Sequence, residues 1–237
     1  MKILALEFSS PQRSVAVLTE NPAAVGEVIE AAPGYGMKPF AMIESALRQT
    51  GLEREQIEVI AVGLGPGSYN GIRAAIALAQ GWQLATGVKL IGISSAVCLA
   101  ALAPAEFHDQ LPEKFSVVIN AQREEFYVAG YANDAGEWRE VAPLRLATLA
   151  EVRELAAAGE MLIGPEVTRW FPHGRIAFPR AAGLGGLVLD RKDFVAGEKL
   201  EPIYLRETNF VKAAPARVLP MAHPGKANSL VDESGLA

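Results

Sequence analysis

The chain has 237 residues, of which 50% are hydrophobic and 21% are charged. This length and composition allow one large domain or two small ones with a substantial core, and they exclude an intrinsically disordered chain. The formal net charge is −5 and no long run of Lys or Arg occurs, so tight nucleic-acid binding by this chain alone is not expected.

The cysteines, the histidines and the apolar runs indicate which kinds of site and which cellular location to expect. Cys98 is the only cysteine and lies in an apolar run, so we predict a buried, inert thiol without disulfides or cysteine metal clusters. The three histidines are far apart, which argues against a zinc or iron site. The first residues lack the pattern of a signal peptide, and no apolar run reaches membrane-spanning length. We therefore expect a cytoplasmic protein.

Strand-like and helix-like segments alternate in the first part of the chain. Short apolar runs bounded by turn residues predict strands at Ile3–Leu6, Ser14–Leu18, Val25–Ala31, Val59–Val62 and Leu90–Ile93. Apolar residues at helical spacing predict helices at Lys38–Gln49, at Gly71–Thr86 and from a cap at Ser94 and Ser95 to about Leu102. The first two strands form a predicted hairpin, and the alternation is typical of an α/β sheet.

A second unit follows the proline-containing segment from Pro104 to Pro112. Strands are predicted at Phe115–Ile119, Glu125–Tyr131, Glu137–Val141 and Met161–Gly164, and helices from Thr148 through Ala158 and from Gly183 to about Asp190. The three opening strands repeat those of the first unit. We predict an N-terminal lobe at residues 1–103, a C-terminal lobe with an extended tail at 113–219, and disorder at 220–237.

The segment from Gly65 to Ser68 is the most constrained local feature, because two glycines flank a proline directly before a predicted helix. Such a place can bind anions through free amide groups. A dinucleotide fingerprint would need glycine at Ser68 or Asn70, and no Walker lysine follows. A structural turn with helix capping, a phosphate cradle and a partner contact remain open.

The helix from Gly71 to Ala85 is apolar on nearly every face, whereas a surface helix normally has a polar side. Either it is sandwiched within one lobe, or one face packs on its own sheet and a second protein covers the other. Small residues at Ala74, Ala77 and Gly81 permit close helix approach, and Trp82 could anchor a partner.

Groups that could carry catalysis are sparse. Glu7 follows the first strand, where a carboxylate can hold a metal or phosphate, but no second carboxylate is near in sequence. A solvated or hydrogen-bonded role is favoured over a catalytic one. The segment Arg123 to Glu125 is predicted to form a solvated hairpin end, since adjacent strand residues point to opposite faces.

The run from Gly65 to Arg73, followed by an alanine-rich helix, resembles the bacterial TsaB (YeaZ) family. Further matches lie at Ile3–Ser9, Met42–Glu44, Gly92–Ser95, Asn120–Tyr127 and Pro202–Arg206. The resemblance implies an α/β, duplicated actin-like/Hsp70-like sugar-kinase (ASKHA) fold with two facing lobes.

The resemblance also implies a function. TsaB is a non-catalytic component that pairs with the catalytic subunit TsaD, and works with the ATPase TsaE, in forming threonylcarbamoyladenosine (t6A) in tRNA. By this analogy the chain binds no cofactor alone, while the complex uses ATP, magnesium and a metal in TsaD. It reaches tRNA only through the complex, and it forms a homodimer in isolation.

The family's partner interface lies on the helices that match Lys38–Gln49 and Gly71–Ala85. The predicted partner-binding residues are Met37, Phe40, Ala41, Glu44, Tyr69, Arg73, Ala74, Ala77, Gln80, Gly81 and Leu84. No catalytic, cofactor-binding or metal residue is assigned to this chain.

Several residues depart from the family pattern. Glu7 and Phe8 replace the usual Asp and Thr, Asn120 replaces Asp, and 35–37 differ from a common His-Ser-Glu-like stretch. Each change removes a polar group from the cleft between the lobes, which argues against independent nucleotide hydrolysis. The alternatives are a small-molecule kinase or ATPase that uses Glu7 and the Gly65 loop, and a homodimer whose activity has been lost.

Overall fold

The first of two sheets is built almost entirely from the first hundred residues. The computed structural model of the chain describes residues 1–20, 25–31 and 38–206. Five strands form this sheet: β1 (Ile3–Glu7), β2 (Gln12–Leu18), β3 (Val25–Ala31), β4 (Val59–Gly63) and β5 (Lys89–Ile93). Their order is β3-β2-β1-β4-β5; β1 pairs antiparallel with β2 and parallel with β4. The predicted hairpin and all five predicted strands are confirmed.

Helices cover both faces of this sheet. Side chains alternate along each strand, so neighbouring residues of one strand pack against different helices. Leu4 and Leu6 of β1 face α1 (Pro39–Thr50) and α2 (Tyr69–Thr86). Ile3 and Ala5 face the opposite side, where α3 (Ser95–Phe107) contributes Cys98. Cys98 is buried, as predicted, and burial raises the pKa of its thiol.

The second sheet repeats the order of the first. It contains β6 (Lys114–Asn120), β7 (Glu125–Asp134), β8 (Glu137–Thr148), β9 (Met161–Gly164) and β10 (Arg175–Ile176). The order β8-β7-β6-β9-β10 matches β3-β2-β1-β4-β5 strand for strand, with the same parallel and antiparallel pairs. The chain is therefore a structural duplication.

Helices join and cover the second sheet. Thr148 caps α4 (Leu149–Ala157), as the sequence predicted. The structure adds a reciprocal pair of hydrogen bonds between Thr148 and Glu151. Helix α3 lies between the sheets, since Cys98 packs into the first core and Leu99 into the second. Residues Met1–Arg206 thus form one compact unit.

The chain returns to the first sheet at α5 (Ala181–Gly186). The amide of Ala181 donates to Ser14 Oγ at 2.7 Å, and that of Ala182 donates to Glu27 Oε1 at 2.9 Å. These contacts start the helix two residues earlier than predicted, and it ends at Gly186 rather than near Asp190. The lobe boundaries at 103 and 113 stay a prediction. The predicted disorder at 220–237 lies outside the described residues, as does the tail beyond Arg206.

Two predicted element ends were wrong, and in both cases the element continues past a proline. Helix α3 continues through Pro104 to Phe107 instead of ending near Leu102. Strand β8 continues past Pro143 to Thr148 instead of ending at Val141, which is possible because β8 is an edge strand and needs no amide donor on its outer side. In the part of the chain that the structure describes, no helix could span a membrane.

Two glycines of α2 make a matched test of its packing. A Cβ at Gly71 would overlap the carbonyl oxygen of Phe8, whereas a Cβ at Gly81 would meet nothing within 4 Å. Gly71→Ala is expected to lower the free energy of unfolding by about 1–3 kcal/mol, and Gly81→Ala to raise it by about 0.4–1 kcal/mol. Urea unfolding measures both, and similar effects of the two substitutions would contradict this packing.

Candidate functional site

An apolar groove of about 440 Å³ lies between α1 and α2. Its lining residues are Phe40, Ile43, Glu44, Arg54, Glu55, Ala77, Leu78, Gly81, Trp82, Ala85 and Thr86. Helix α2 buries one face in its own core, through Ile72, Ala75, Ile76 and Ala79. Its other face, with Arg73, Ala77, Gly81 and Leu84, is exposed in the described part of the chain. The helix is therefore not sandwiched within one lobe, and a second protein on the exposed face stays a prediction.

Four of the predicted partner-binding residues, Phe40, Glu44, Ala77 and Gly81, line this groove. Ala41, Arg73 and Leu84 are exposed and lie three or four positions from one of these four on the same helix. We call these seven residues the α1–α2 surface. Leu84 is 91% exposed and Phe40 is 65% exposed. Large apolar side chains that are exposed and lie close together are typical of interaction sites. Glu44, the acidic member, forms an ion pair with Arg54.

The other predicted residues lie in different surroundings. Ala74 is half-buried at the border of this surface. Gln80 donates from its side-chain amide to the carbonyl oxygen of Gly197 at 2.8 Å, so it holds the C-terminal segment against α2. Tyr69 stacks on Tyr204 with ring centroids 5.5 Å apart. Met37 lies outside the described residues.

Sequence reasoning missed part of the groove. Arg54 and Glu55 belong to a short 3₁₀ helix after α1 and line one wall. Glu44 and Arg54 are ten positions apart in the sequence, so no helical spacing connects them. The only available signal is their opposite charge.

The Gly65 loop is a capping structure. Ser68 occupies the N-cap of α2, and its Oγ accepts from the amide of Gly71 at 3.3 Å. The predicted helix capping is confirmed. At α3, Ser94 occupies the N-cap, but its hydroxyl donates to the carbonyl oxygen of Gly65 at 3.4 Å instead of capping.

Glu7 lies beneath this loop and is fully buried. Its Oε1 accepts from the amide of Ser9 at 2.8 Å, and its Oε2 accepts from the hydroxyl of Ser95 at 2.8 Å. Burial raises the pKa of Glu7, and hydrogen bonds from Ser9 and Ser95 offset part of that increase. Of the two predicted roles, the hydrogen-bonded one is confirmed.

The raised pKa of Glu7 predicts a pH-dependent stability. Above about pH 4.5 the unfolded chain loses this proton first, so the contribution of Glu7 to the free energy of unfolding falls as pH rises toward the folded-state pKa. Glu7→Gln removes this dependence. Urea unfolding from pH 4.5 to 7 is expected to show the variant gaining on the parent as pH rises. A pH-independent difference would contradict the raised pKa.

A cleft of about 460 Å³ lies between the ends of the two sheets, among Ser9, Ser10, Asn120, Tyr127 and Glu166. The Asn120 side chain accepts from the amide of Gln122 at 2.8 Å. A magnesium–nucleotide complex requires a carboxylate that faces the cleft, and both oxygens of Glu7 are used inside the fold. Glu7 therefore does not fit that role.

Other groups near the cleft take structural roles. Arg123 and Glu124 are exposed, as predicted, but Glu125 forms an ion pair with Arg206. Arg206 also donates to the carbonyl oxygens of Ala121 and Gln122, so it ties the C-terminal segment to the turn after β6. Among the described residues, no three His, Cys, Asp or Glu side chains are grouped so that they could hold a metal ion.

A family model and curated relatives assign this chain to related protein groups. Residues 39–227 match the family model described as TsaD: tRNA N6-adenosine threonylcarbamoyltransferase. The chain therefore belongs to the TsaD family. Its resemblance to the TsaB (YeaZ) group is also confirmed, since two curated TsaB proteins align over 92% of the chain.

The individual relatives support both the sequence and the fold assignment. The t6A biosynthesis protein TsaB of Haemophilus influenzae is 27% identical over 98% of its own length, and that of Escherichia coli is 26% identical over its full length. The structure of YeaZ from Pseudomonas aeruginosa superimposes with a TM-score of 0.71 at 26% identity, covering 86% of this chain and 99% of that one. The predicted two-lobed ASKHA fold is confirmed.

Proposed function

We propose that this chain is a non-catalytic scaffold subunit that docks a TsaD-like transferase through the α1–α2 surface during t6A synthesis. Involvement in t6A biosynthesis follows from the family and from the TsaB relatives. The docking role is supported chiefly by one observation, the open apolar face of α2.

The shape of the α1–α2 surface suits a helical partner. Ala77 and Gly81 are exposed near its centre and carry little or no side chain, so another helix can approach closely. Phe40 and Leu84 are large, exposed and apolar, which suits anchors that enter pockets of a partner. The charge of Glu44 is already balanced by Arg54, so covering it costs less than burying a single charge.

Glu7 is held inside the fold and supplies no magnesium ligand to the cleft. By analogy with the TsaB family, ATP and magnesium belong to the complex and the metal to the TsaD-like subunit. A TsaE-like ATPase completes the complex, tRNA is reached through it, and the same surface forms a homodimer when the partner is absent.

The decisive experiment combines co-purification with a reconstituted reaction. The chain and the TsaD-like protein of the same organism are expected to co-elute, and t6A formation on tRNA is expected to require both. Unchanged t6A formation without this chain would contradict the scaffold role.

The alternative function is that of a small-molecule kinase or ATPase of the ASKHA fold, which would use the cleft. The cleft has a volume of about 460 Å³, and Ser9, Ser10 and Tyr127 contribute hydroxyl groups to its lining. Calorimetry with ATP and magnesium separates the two functions. Micromolar binding with turnover by the isolated chain would favour the enzyme, and its absence favours the scaffold.

A further inference from the structure

Glu7 connects two segments that precede the docking helix α2. It lies at the end of β1, fully buried, and each of its carboxylate oxygens accepts a hydrogen bond from a different element. One bond leads to the N-cap of α2 and the other to the Gly65 loop. Removing an acceptor from such a buried site costs more than a surface hydrogen bond.

The first connection runs through Ser9. Its amide donates to Glu7 Oε1 at 2.8 Å, and its carbonyl oxygen accepts from the amide of Ser68 at 2.6 Å. Ser68 caps α2, so Glu7 orders the residue that holds the start of the helix.

The second connection runs through Ser95. Its hydroxyl donates to Glu7 Oε2 at 2.8 Å and accepts from the amide of Gly65 at 3.1 Å. The amide of Ser95 donates to the carbonyl oxygen of Gly65 at 2.7 Å. Gly65 is therefore held at its amide by the Ser95 hydroxyl, which Glu7 orients, and at its carbonyl oxygen by the Ser95 amide.

Glycines allow this arrangement to close. A Cβ at Gly63 would collide with the Glu7 carboxylate, and one at Gly67 would collide with the carbonyl oxygen of Ser9. The Glu7 carboxylate thus packs against the end of β4, and Ser9 packs against the loop itself, so a change at Glu7 reaches the loop backbone through close contacts.

We propose that Glu7 is a positioning residue that sets the entry of α2, and with it Arg73 of the α1–α2 surface, for docking of the TsaD-like partner. This inference rests on the proposed function. It gives Glu7 a role in binding that is independent of the cleft.

Three variants and a control test it. Glu7→Gln keeps an acceptor for Ser9 but places an amide donor against Ser95, whose hydroxyl proton then loses its acceptor. Ser95→Ala removes the same connection from the other side. The double variant completes a cycle. Ile3→Val is the control, because Ile3 is fully buried on the same strand and lies away from the loop.

Partner affinity and amide hydrogen exchange are measured at a temperature at which all variants are folded by circular dichroism. Each single variant is expected to weaken binding about tenfold and to speed exchange at Gly65 and Ser68. The double variant should be no weaker than the worse single variant, and Ile3→Val should bind like the parent.

The outcomes separate the two proposals. Parent-like binding by Glu7→Gln and Ser95→Ala, or equal weakening by Ile3→Val, would overturn the positioning role while leaving the scaffold role intact. If the parent itself fails to bind the partner, the scaffold role and the docking part of this inference both fail. Faster exchange confined to the Glu7 and Ser95 variants would then still support the ordering of the loop.

Discussion

The Ala77→Arg variant is expected to fold like the parent and to bind the TsaD-like partner more weakly by more than about 2 kcal/mol. Ala77 is exposed on α2 and lines the groove between the helices, so the free chain accommodates a longer side chain. In a complex the guanidinium would occupy the close approach of two helices and would be buried without a partner. Calorimetric titration measures the loss, and circular dichroism verifies the fold.

A matched control is available on α4. Ala157 is an exposed alanine at the end of that helix, distant in the fold from the α1–α2 surface. Ala157→Arg adds the same charge and volume and is expected to bind like the parent. Unchanged affinity in Ala77→Arg, or equal losses in both variants, would place the interface elsewhere. Unfolding of Ala77→Arg would contradict the exposed position of Ala77.

The elements that sequence patterns predict well are those whose cause is local. Short continuous apolar runs predict strands such as β1 and β4 because both faces of the first sheet are covered. Thr148 indicates the start of α4, and its capping partner in the structure, Glu151, lies only three residues further along the chain. Such features depend on neighbours in sequence.

The boundaries that were wrong depend on neighbours in space. Strand β8 tolerates Pro143 because it is an edge strand, which no local pattern reveals. Helix α5 begins early because Ser14 and Glu27, from distant strands, accept its first amides. Strand β10 has two residues and a single partner strand, so its sequence carries no periodic signal.

In the candidate site, too, some features follow from the local sequence and others depend on residues that are distant in sequence. The sequence shows that α2 is apolar all round, but only the fold separates its buried face, with Ile72, from its open face, with Ala77. Gln80 is one of the predicted partner-binding residues, yet in the structure its side-chain amide donates a hydrogen bond to Gly197 in the C-terminal segment. The burial of Glu7 depends on Ser95 and Gly63, which lie 88 and 56 positions away.

The Phe126→Ala variant is expected to lower the free energy of unfolding by about 3–5 kcal/mol. Phe126 is 1% exposed on β7, and its ring meets the edges of Trp170 and Phe171 at centroid distances of 5.2 and 5.5 Å. Truncation removes these contacts and leaves a cavity on the face of the second sheet that α4 covers. Val141→Ala is the control, because Val141 is 55% exposed and should change stability by at most about 0.5 kcal/mol.

The same variant tests whether the two sheets unfold together. Phe126 packs on one face of the second sheet, and Leu99 of α3 packs on the other face. Cys98 of the same helix packs against the first sheet, so unfolding of the second sheet removes the packing around Leu99. Thiol labelling of Cys98 in urea reports on the first core, since the buried thiol reacts only after opening. We expect labelling and circular dichroism to shift to lower urea together. A shift in circular dichroism with unchanged labelling would mean that the first sheet, which carries the α1–α2 surface, is stable without the second.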